Sequence, residues 1–332
     1  MRAARIYEYG APDVLKVEEA PRPEVGPNDV LVRMHATSVN PVDCKMRAGS
    51  HRLLIPRKLP TILGMDVSGV IEEVGKKVKG WSVGDEVVSS PRHTREGTYA
   101  EYVAVDAGEL AKKPAVLSHE EAASLPLVAL TAWACLVDHA AIKEGDEVFI
   151  QAGSGGVGTV AIQLAKHLGA RVITSCSERN IELVTGLGAD EVINYREETL
   201  VERLPEGLSA ALDALGDETE VLISKVRNKG AVSMISPGLP QRVKENGALC
   251  GTSATFGAVG ATVVRSWLSG ARAWPVTRRP DGDVLQRIMN LVESGDIKPV
   301  MDSTYTLDEI VEAHRRSESG RARGKIAVSM GV

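Results

Sequence analysis

The chain has 332 residues, 43% of them hydrophobic and 25% charged, which suits about two domains that each bury a core. A formal net charge of -5 and an aromatic content of 4% supply neither the basic field nor the stacking surface that nucleic-acid binding uses. No eighteen apolar residues run together, and the chain enters directly on a charged, strand-like segment, so neither a membrane span nor a signal core is expected.

In chain order, residues 30–36, 67–74, 84–88 and 99–105 read as strands, punctuated by Pro23, Gly26-Pro27, Gly75 and Gly80. A capping box, Ser118-His119-Glu120-Glu121, then opens a helix that continues to residue 137 with an interruption at Pro126. From residue 147 strand and helix alternate. Strands are expected at 147–151, 171–175, 191–193, 210–214 and 231–235, and helices at 156–168 and 179–187. Such alternation builds a parallel sheet covered on both faces. Residues 237–270 show no readable period and are expected to line or cover a cleft. Helices at 284–294 and 307–317 and strands at 300–305 and 325–329 complete the chain, and the last strands are expected to return to the β-rich N-terminal part. Cys44, Cys135, Cys176 and Cys250 stand too far apart in sequence for a CxxC pair or a zinc knuckle. At least three of the four read as buried thiols, and the compartment as reducing, most simply cytoplasmic.

The sharpest chemical signal is Gly153-Ser154-Gly155-Gly156-Val157-Gly158, an unbroken G-x-G-x-x-G between an expected strand and an expected helix. In that setting the first glycine permits the tight turn, the second lets backbone approach a pyrophosphate, and the third lets helix and strand pack closely. Free N–H groups at the helix start then meet the phosphates. A dinucleotide with a free ribose 2′-OH usually meets Asp or Glu at the end of the next strand, about twenty residues on. Here that place holds Ser175 and Ser177 with Arg179 beyond, hydroxyls and a guanidinium that suit a 2′-phosphate. Glu178 is the competing residue, but it falls past the strand end. NADPH is therefore the expected cofactor.

Several further segments resemble the medium-chain dehydrogenase/reductase superfamily. They are Asn40-Pro41-Val42-Asp43, Leu63-Gly64-Met65-Asp66, Gly84-Asp85-Glu86-Val87, Leu130-Thr131-Ala132-Trp133, the glycine loop, and Leu187-Gly188-Ala189-Asp190. The resemblance implies an α/β fold, with a GroES-like β-rich catalytic domain and a Rossmann doubly wound parallel-sheet domain. The expected bounds are 1–123 with 276–332 returning to it, and 124–275 for NADPH binding. Zinc-dependent members place Cys where this chain has Asn40 and a His-Glu pair at Met65-Asp66. An amide and a thioether are poor zinc donors, so no metal site is expected. What remains is similar to the zinc-independent quinone oxidoreductase branch, particularly its reticulon-interacting and chloroplast-envelope members. That resemblance implies Ser154, Gly156 and Val157 on the pyrophosphate, within the cofactor loop that the motif glycines Gly153, Gly155 and Gly158 shape, and Ser177, Arg179 and Tyr195 around the 2′-phosphate. It also implies Thr131 near the nicotinamide ribose and Arg323 reaching the cofactor from the catalytic domain. Pairing of Rossmann edge strands makes a homodimer a further expectation.

Without a metal, the acceptor should be one that carries its developing charge onto an oxygen served by hydrogen bonds, such as a quinone or an α,β-unsaturated carbonyl compound. Asn40 is the leading donor, Asp43 is expected to fix its loop, and His51 is a candidate proton source. Two other readings compete. One is an enoyl-thioester reductase of lipid or polyketide metabolism, using Arg52, Arg57 and Lys58 at the rim. The other is a non-catalytic NADPH-binding structural or regulatory protein.

Overall fold

Short β-branched and apolar runs, cut by glycine and proline, become strands throughout the first third of the chain. These are β1 Arg2–Ile6, β2 Leu15–Glu19, β3 Asp29–Val39, β4 Thr61–Ile62, β5 Val67–Val74, β6 Glu86–Ser89, β7 Tyr102–Asp106 and β8 Leu110–Lys112. Helices then alternate with β9 Glu147–Ile150, β10 Arg171–Cys176, β11 Glu191–Asn194, β12 Leu208–Asp213, β13 Val226–Met234 and β14 Arg272–Pro275, and the chain closes with β15 Met301–Thr306 and β16 Lys325–Ser329. The computed structural model describes residues 1–331 and divides into two units, Met1–Leu130 with Arg279–Val332, and Thr131–Arg278.

The first unit is built on a sheet ordered β15-β16-β3-β5-β6-β8, with β7 also on β3. Most of its pairs are antiparallel; β7, near one edge, alternates buried and half-buried residues, whereas the central β3 is buried along almost its whole length. β16 runs antiparallel to β3, pairing Ile326 with Val39. That register brings Lys325, just before Ile326, level with Asn40, just after Val39. The core beneath joins Ile6, Val39, Met65 and Tyr99 to Ile310, Ala313, Ile326 and Val328, so the C-terminal segment is part of it.

The second unit is one sheet in the order β11-β10-β9-β12-β13-β14, every neighbouring pair parallel. Counted within the unit that order is 3-2-1-4-5-6, the doubly wound arrangement whose ligand crevice opens at the carboxyl ends of the strands. Both faces are covered. Phe149, Ile173, Ile193 and Val232 from the strands meet Leu222 from a crossover helix, all of them buried, and the strands accordingly read as near-continuous apolar runs.

The segment without a readable period, 237–270, is mostly helix, Leu239–Leu268, with a break at Gly247, where φ is 76° and ψ is 169°. Glycine, alanine and threonine are interspersed along it, so no apolar stripe at helical spacing marked it in the sequence. Length and composition alone would let it cross a membrane. Its two ends, however, join β13 to its parallel neighbour β14, and it packs on β14. It is the crossover of a sheet. Leu249, Phe256, Val264, Trp267 and Leu268 on it are exposed. Of the cysteines, Cys44, Cys135 and Cys176 are buried free thiols, and Cys250, on this helix, is exposed.

Candidate active site

At the carboxyl end of β9 the chain turns through Ala152, whose φ is 56°. The tight turn expected of the first glycine is therefore carried by an alanine in the left-handed region. Gly153 is needed for another reason, since a Cβ there would lie 2.1 Å from Thr174 Oγ1. Gly158 is needed for the close packing expected of it, because a Cβ would meet Ala152 O at 2.4 Å and Gly153 Cα at 2.7 Å. Gly155 differs from both. Its nearest neighbour would be Ala152 O at 3.3 Å, so one side of the loop stays open to an incoming group. Gly155 caps the helix Gly156–His167 with extended backbone, and the first N–H groups of that helix have no carbonyl of their own turn to bond. A cradle without side chains at a helix start fits a pyrophosphate.

β10 delivers the second part. Gly153 N–H donates to Ser175 O at 2.9 Å and Ala152 N–H to Ser175 Oγ at 3.3 Å, which fastens the loop to the neighbouring strand. Cys176 pairs with Asn194 in β11, so Ser177 and Tyr195, each the next residue, leave the sheet side by side. Ser177 is buried and starts a short turn of helix, Glu178–Asn180. Arg179 is exposed, as is its neighbour Glu178, and Tyr195 is 56% exposed. Sequence reasoning passed over Asn180. It is 4% exposed, its Nδ2 donates to Ser154 Oγ at 2.9 Å and to Ser177 Oγ at 3.3 Å, and its Oδ1 has no partner. Thr131, on the helix Pro126–Trp133, is buried.

The first unit holds a cluster around Asn40, which stands at the start of the helix Pro41–Arg47. Its backbone N–H donates to Asp43 Oδ2 at 2.9 Å, so Asp43 fixes the loop, as a residue three places into a helix can. The Asn40 amide is itself committed at both ends. Nδ2 donates to Asp66 Oδ2 at 2.8 Å, and Oδ1 accepts from Lys325 Nζ at 2.5 Å. Asp66 also accepts from Ser38 Oγ at 2.5 Å and from Leu127 N–H at 2.7 Å, with the Lys325 ammonium 3.8 Å away. Asn40 is 1% exposed and Asp43 and Asp66 are fully buried. Nδ2 also lies 3.5 Å from Ser38 Oγ, at the limit of a hydrogen bond, so its second hydrogen is left weakly bonded, which narrows the donor role expected of this side chain to a single N–H. Burial raises the Asp43 carboxyl to about 6. Burial also lowers the Lys325 ammonium, against the pull of Asp66 and Asp43. Lys325 was another residue missed from sequence. Its signal was a lysine opening the otherwise apolar run Ile326-Ala327-Val328.

His51 is half-buried, with Nδ1 3.1 Å from Ser50 Oγ. Burial, aided by Lys45, lowers its imidazolium to about 4, so near neutral pH it is a neutral imidazole and can give a proton only from a ring N–H. Arg57 donates to the Arg95 carbonyl, whereas Arg52 and Lys58 are exposed. Arg323 is exposed on its own unit, and its backbone N–H donates to Asp302 Oδ1 at 2.9 Å. Behind the Asn40 helix, Arg47 donates to His314 Nδ1 at 3.2 Å, and His314 Nε2 lies 3.2 Å from Tyr99 Oη. The guanidinium can only donate, so the His314 proton sits on Nε2 and points at the phenol. Among the described residues no three His, Cys, Asp or Glu side chains gather as metal ligands.

Two family models match the chain, the alcohol dehydrogenase GroES-like domain over residues 26–115 and the zinc-binding dehydrogenase over residues 187–328. Along 99% of its length the chain is 35% identical to NAD(P)H oxidoreductase RTN4IP1, mitochondrial, of Danio rerio, covering 91% of that protein. It is 34% identical to the 2-methylene-furan-3-one reductase of Solanum lycopersicum, over 99% of this chain and 79% of that one. Among solved structures it superposes on the Escherichia coli quinone oxidoreductase complexed with NADPH. That match has a TM-score of 0.82 and 27% identity, over 99% of this chain and 100% of the other. The expectation of a cytoplasmic compartment does not stand, since the zebrafish relative and its mammalian counterparts are named as mitochondrial proteins. Free thiols persist in any reducing compartment, organelle interiors included, so cysteine usage had no power to separate them.

Proposed function

The chain belongs to the zinc-independent NADPH:quinone oxidoreductase branch of the medium-chain dehydrogenase/reductase superfamily, and on that premise we propose how its residues divide the work. It is an NADPH-dependent enzyme acting on quinone- or enone-type acceptors, without zinc. Bound NADPH supplies the hydride. The chain's own residues hold, orient and stabilise.

In our reading Gly153, Ser154, Gly155, Gly156, Val157 and Gly158 hold the pyrophosphate, and the open side of Gly155 is the observation that carries it. Ser177, Arg179 and Tyr195 hold the 2′-phosphate, Thr131 meets the nicotinamide ribose, and Arg323 serves the cofactor from the catalytic unit. Asn40 offers its one weakly bonded amide hydrogen to a carbonyl oxygen, where it stabilises charge as it develops. Asp43 holds Asn40 at the helix start. His51 acts as a neutral N–H donor. Zinc has no place in this cluster, because the Asn40 amide and the Met65 thioether are poor donors for it.

A second copy of the chain is the partner we propose. β14 ends the sheet of the second unit, and an edge strand offers unpaired N–H and C=O groups to another strand. Trp274 on that strand is exposed, as is the apolar face of the neighbouring helix. An edge and an apolar face side by side are what a two-fold interface would cover.

The reaction is tested by following NADPH consumption with a quinone, an enone and a crotonyl thioester. Turnover should favour the first two. A faster thioester would turn the assignment to lipid or polyketide reduction, a reading weakened by Arg57, which is bonded to a backbone carbonyl. No turnover with any of the three would leave the non-catalytic reading.

A further inference from the structure

Ser154 belongs to the glycine loop and Ser177 to the end of the next strand, and one buried side chain touches both. Asn180 Nδ2 carries two hydrogens, one directed to Ser154 Oγ at 2.9 Å and the other to Ser177 Oγ at 3.3 Å. A serine hydroxyl has one hydrogen to give and two lone pairs to receive with. An oxygen that accepts from Asn180 therefore keeps its own hydrogen for something else. Asn180 is held in place by its backbone N–H, which donates to Ser177 O at 2.8 Å, and the side chain is 4% exposed.

The other end of the amide is informative. Asn180 Oδ1 is buried and has no hydrogen-bond partner. Turning the amide over would spend both serine protons on that oxygen and would bury an –NH2 group, with two hydrogens, where no partner stands. The orientation in the structure makes sense when anionic oxygens take those protons. We propose that Asn180 is a positioning residue for NADPH, setting both serines as donors toward the cofactor's phosphates. It touches no phosphate itself. It couples the pyrophosphate loop to the 2′-phosphate pocket, so one amide favours the doubly anchored cofactor over NADH. The inference rests on the assignment of Ser154 and Ser177 made above.

Equilibrium binding of NADPH and NADH to the purified enzyme, without any acceptor, tests it. Asn180→Ala should weaken NADPH by about tenfold or more, the scale of hydrogen bonds to charged groups, and weaken NADH less. Asn180→Asp has nearly the same shape, but its carboxylate can only accept and so would draw both serine protons inward. It should weaken NADPH further still, again more than NADH. In a double-mutant cycle, Asn180→Ala should add little to the NADPH loss already caused by Ser177→Ala, because one acts through the other. Equal losses for the two cofactors, or additive losses in the cycle, would reduce Asn180 to packing and overturn the proposal. So would an Asn180→Ala protein that binds NADPH like the parent. Should Asn180→Ala fail to fold, the Asn180→Asp protein carries the same comparison. A parent enzyme that binds NADH as tightly as NADPH would instead refute the phosphate assignment beneath the proposal.

Discussion

His314 shows how one buried ring can govern the acid tolerance of a whole unit. It is fully buried between Arg47 and Tyr99, and burial, reinforced by the Arg47 charge, lowers it to about 3. In the unfolded chain the same group titrates near 6.5. Above that pH both states are neutral and there is no penalty. Below it the unfolded chain gains a proton that the folded chain refuses, so stability falls as pH drops from about 6.5 toward 3, by up to ~1.4 kcal/mol per pH unit. Urea unfolding between pH 7 and pH 5 should therefore show a steeper loss for the parent than for His314→Gln, whatever the absolute stability of the variant. Parallel slopes would mean that His314 takes up its proton as readily in the folded protein as in the unfolded chain. The same residue marks a limit of sequence reading. A histidine in an amphipathic helix reads as a satisfied side chain, which it is. Its partners, however, lie 267 and 215 positions away along the chain, and no local pattern names them. Lys325 and Asp66 around Asn40 were hidden in the same way.

At the scale of one element, the glycine loop was legible because its constraints are local: a turn, a helix start and a strand that must pack within a few residues. Even so, the three glycines serve different ends, and substitutions should separate them. Gly158→Ala drives a Cβ into Ala152 O and Gly153 Cα and should cost about 1–3 kcal/mol of stability, as overpacking does. Gly155→Ala meets only one backbone oxygen at 3.3 Å. It should leave the melting temperature nearly unchanged while weakening NADPH binding, since the new methyl group occupies the open side. Calorimetry on both variants with and without NADPH checks this, and a Gly155→Ala protein that binds NADPH normally would move the pyrophosphate elsewhere. The long helix Leu239–Leu268 was not legible. Its small residues make a helix through tertiary placement rather than through a stripe of large side chains, and Gly247 breaks whatever period there was.

For the whole molecule, alternating strand and helix signals carried the α/β architecture, and the final strand's return to β3 followed from an incomplete sheet needing a neighbour. The pairing we propose was less visible, because it would use the helix that the sequence concealed. If two copies pair along β14, the apolar residues of that helix are covered, and Trp267→Asp should put a charge into the shared surface. Sedimentation at micromolar concentration should then find dimers for the parent and monomers for the variant, with the far-ultraviolet circular dichroism unchanged. A parent that sediments as a monomer removes the pairing.

Cys250 gives that same helix a practical use. Burial pushes the thiols of Cys44 and Cys135 up to about 12 and that of Cys176 to about 11, so at neutral pH they are poor nucleophiles as well as shielded ones. Cys250 is exposed. A maleimide dye or nitroxide should therefore attach at one position per chain without any engineering. If two chains pair, such labels report the distance between them by energy transfer or electron-spin dipolar coupling, without substitution and while the enzyme turns over.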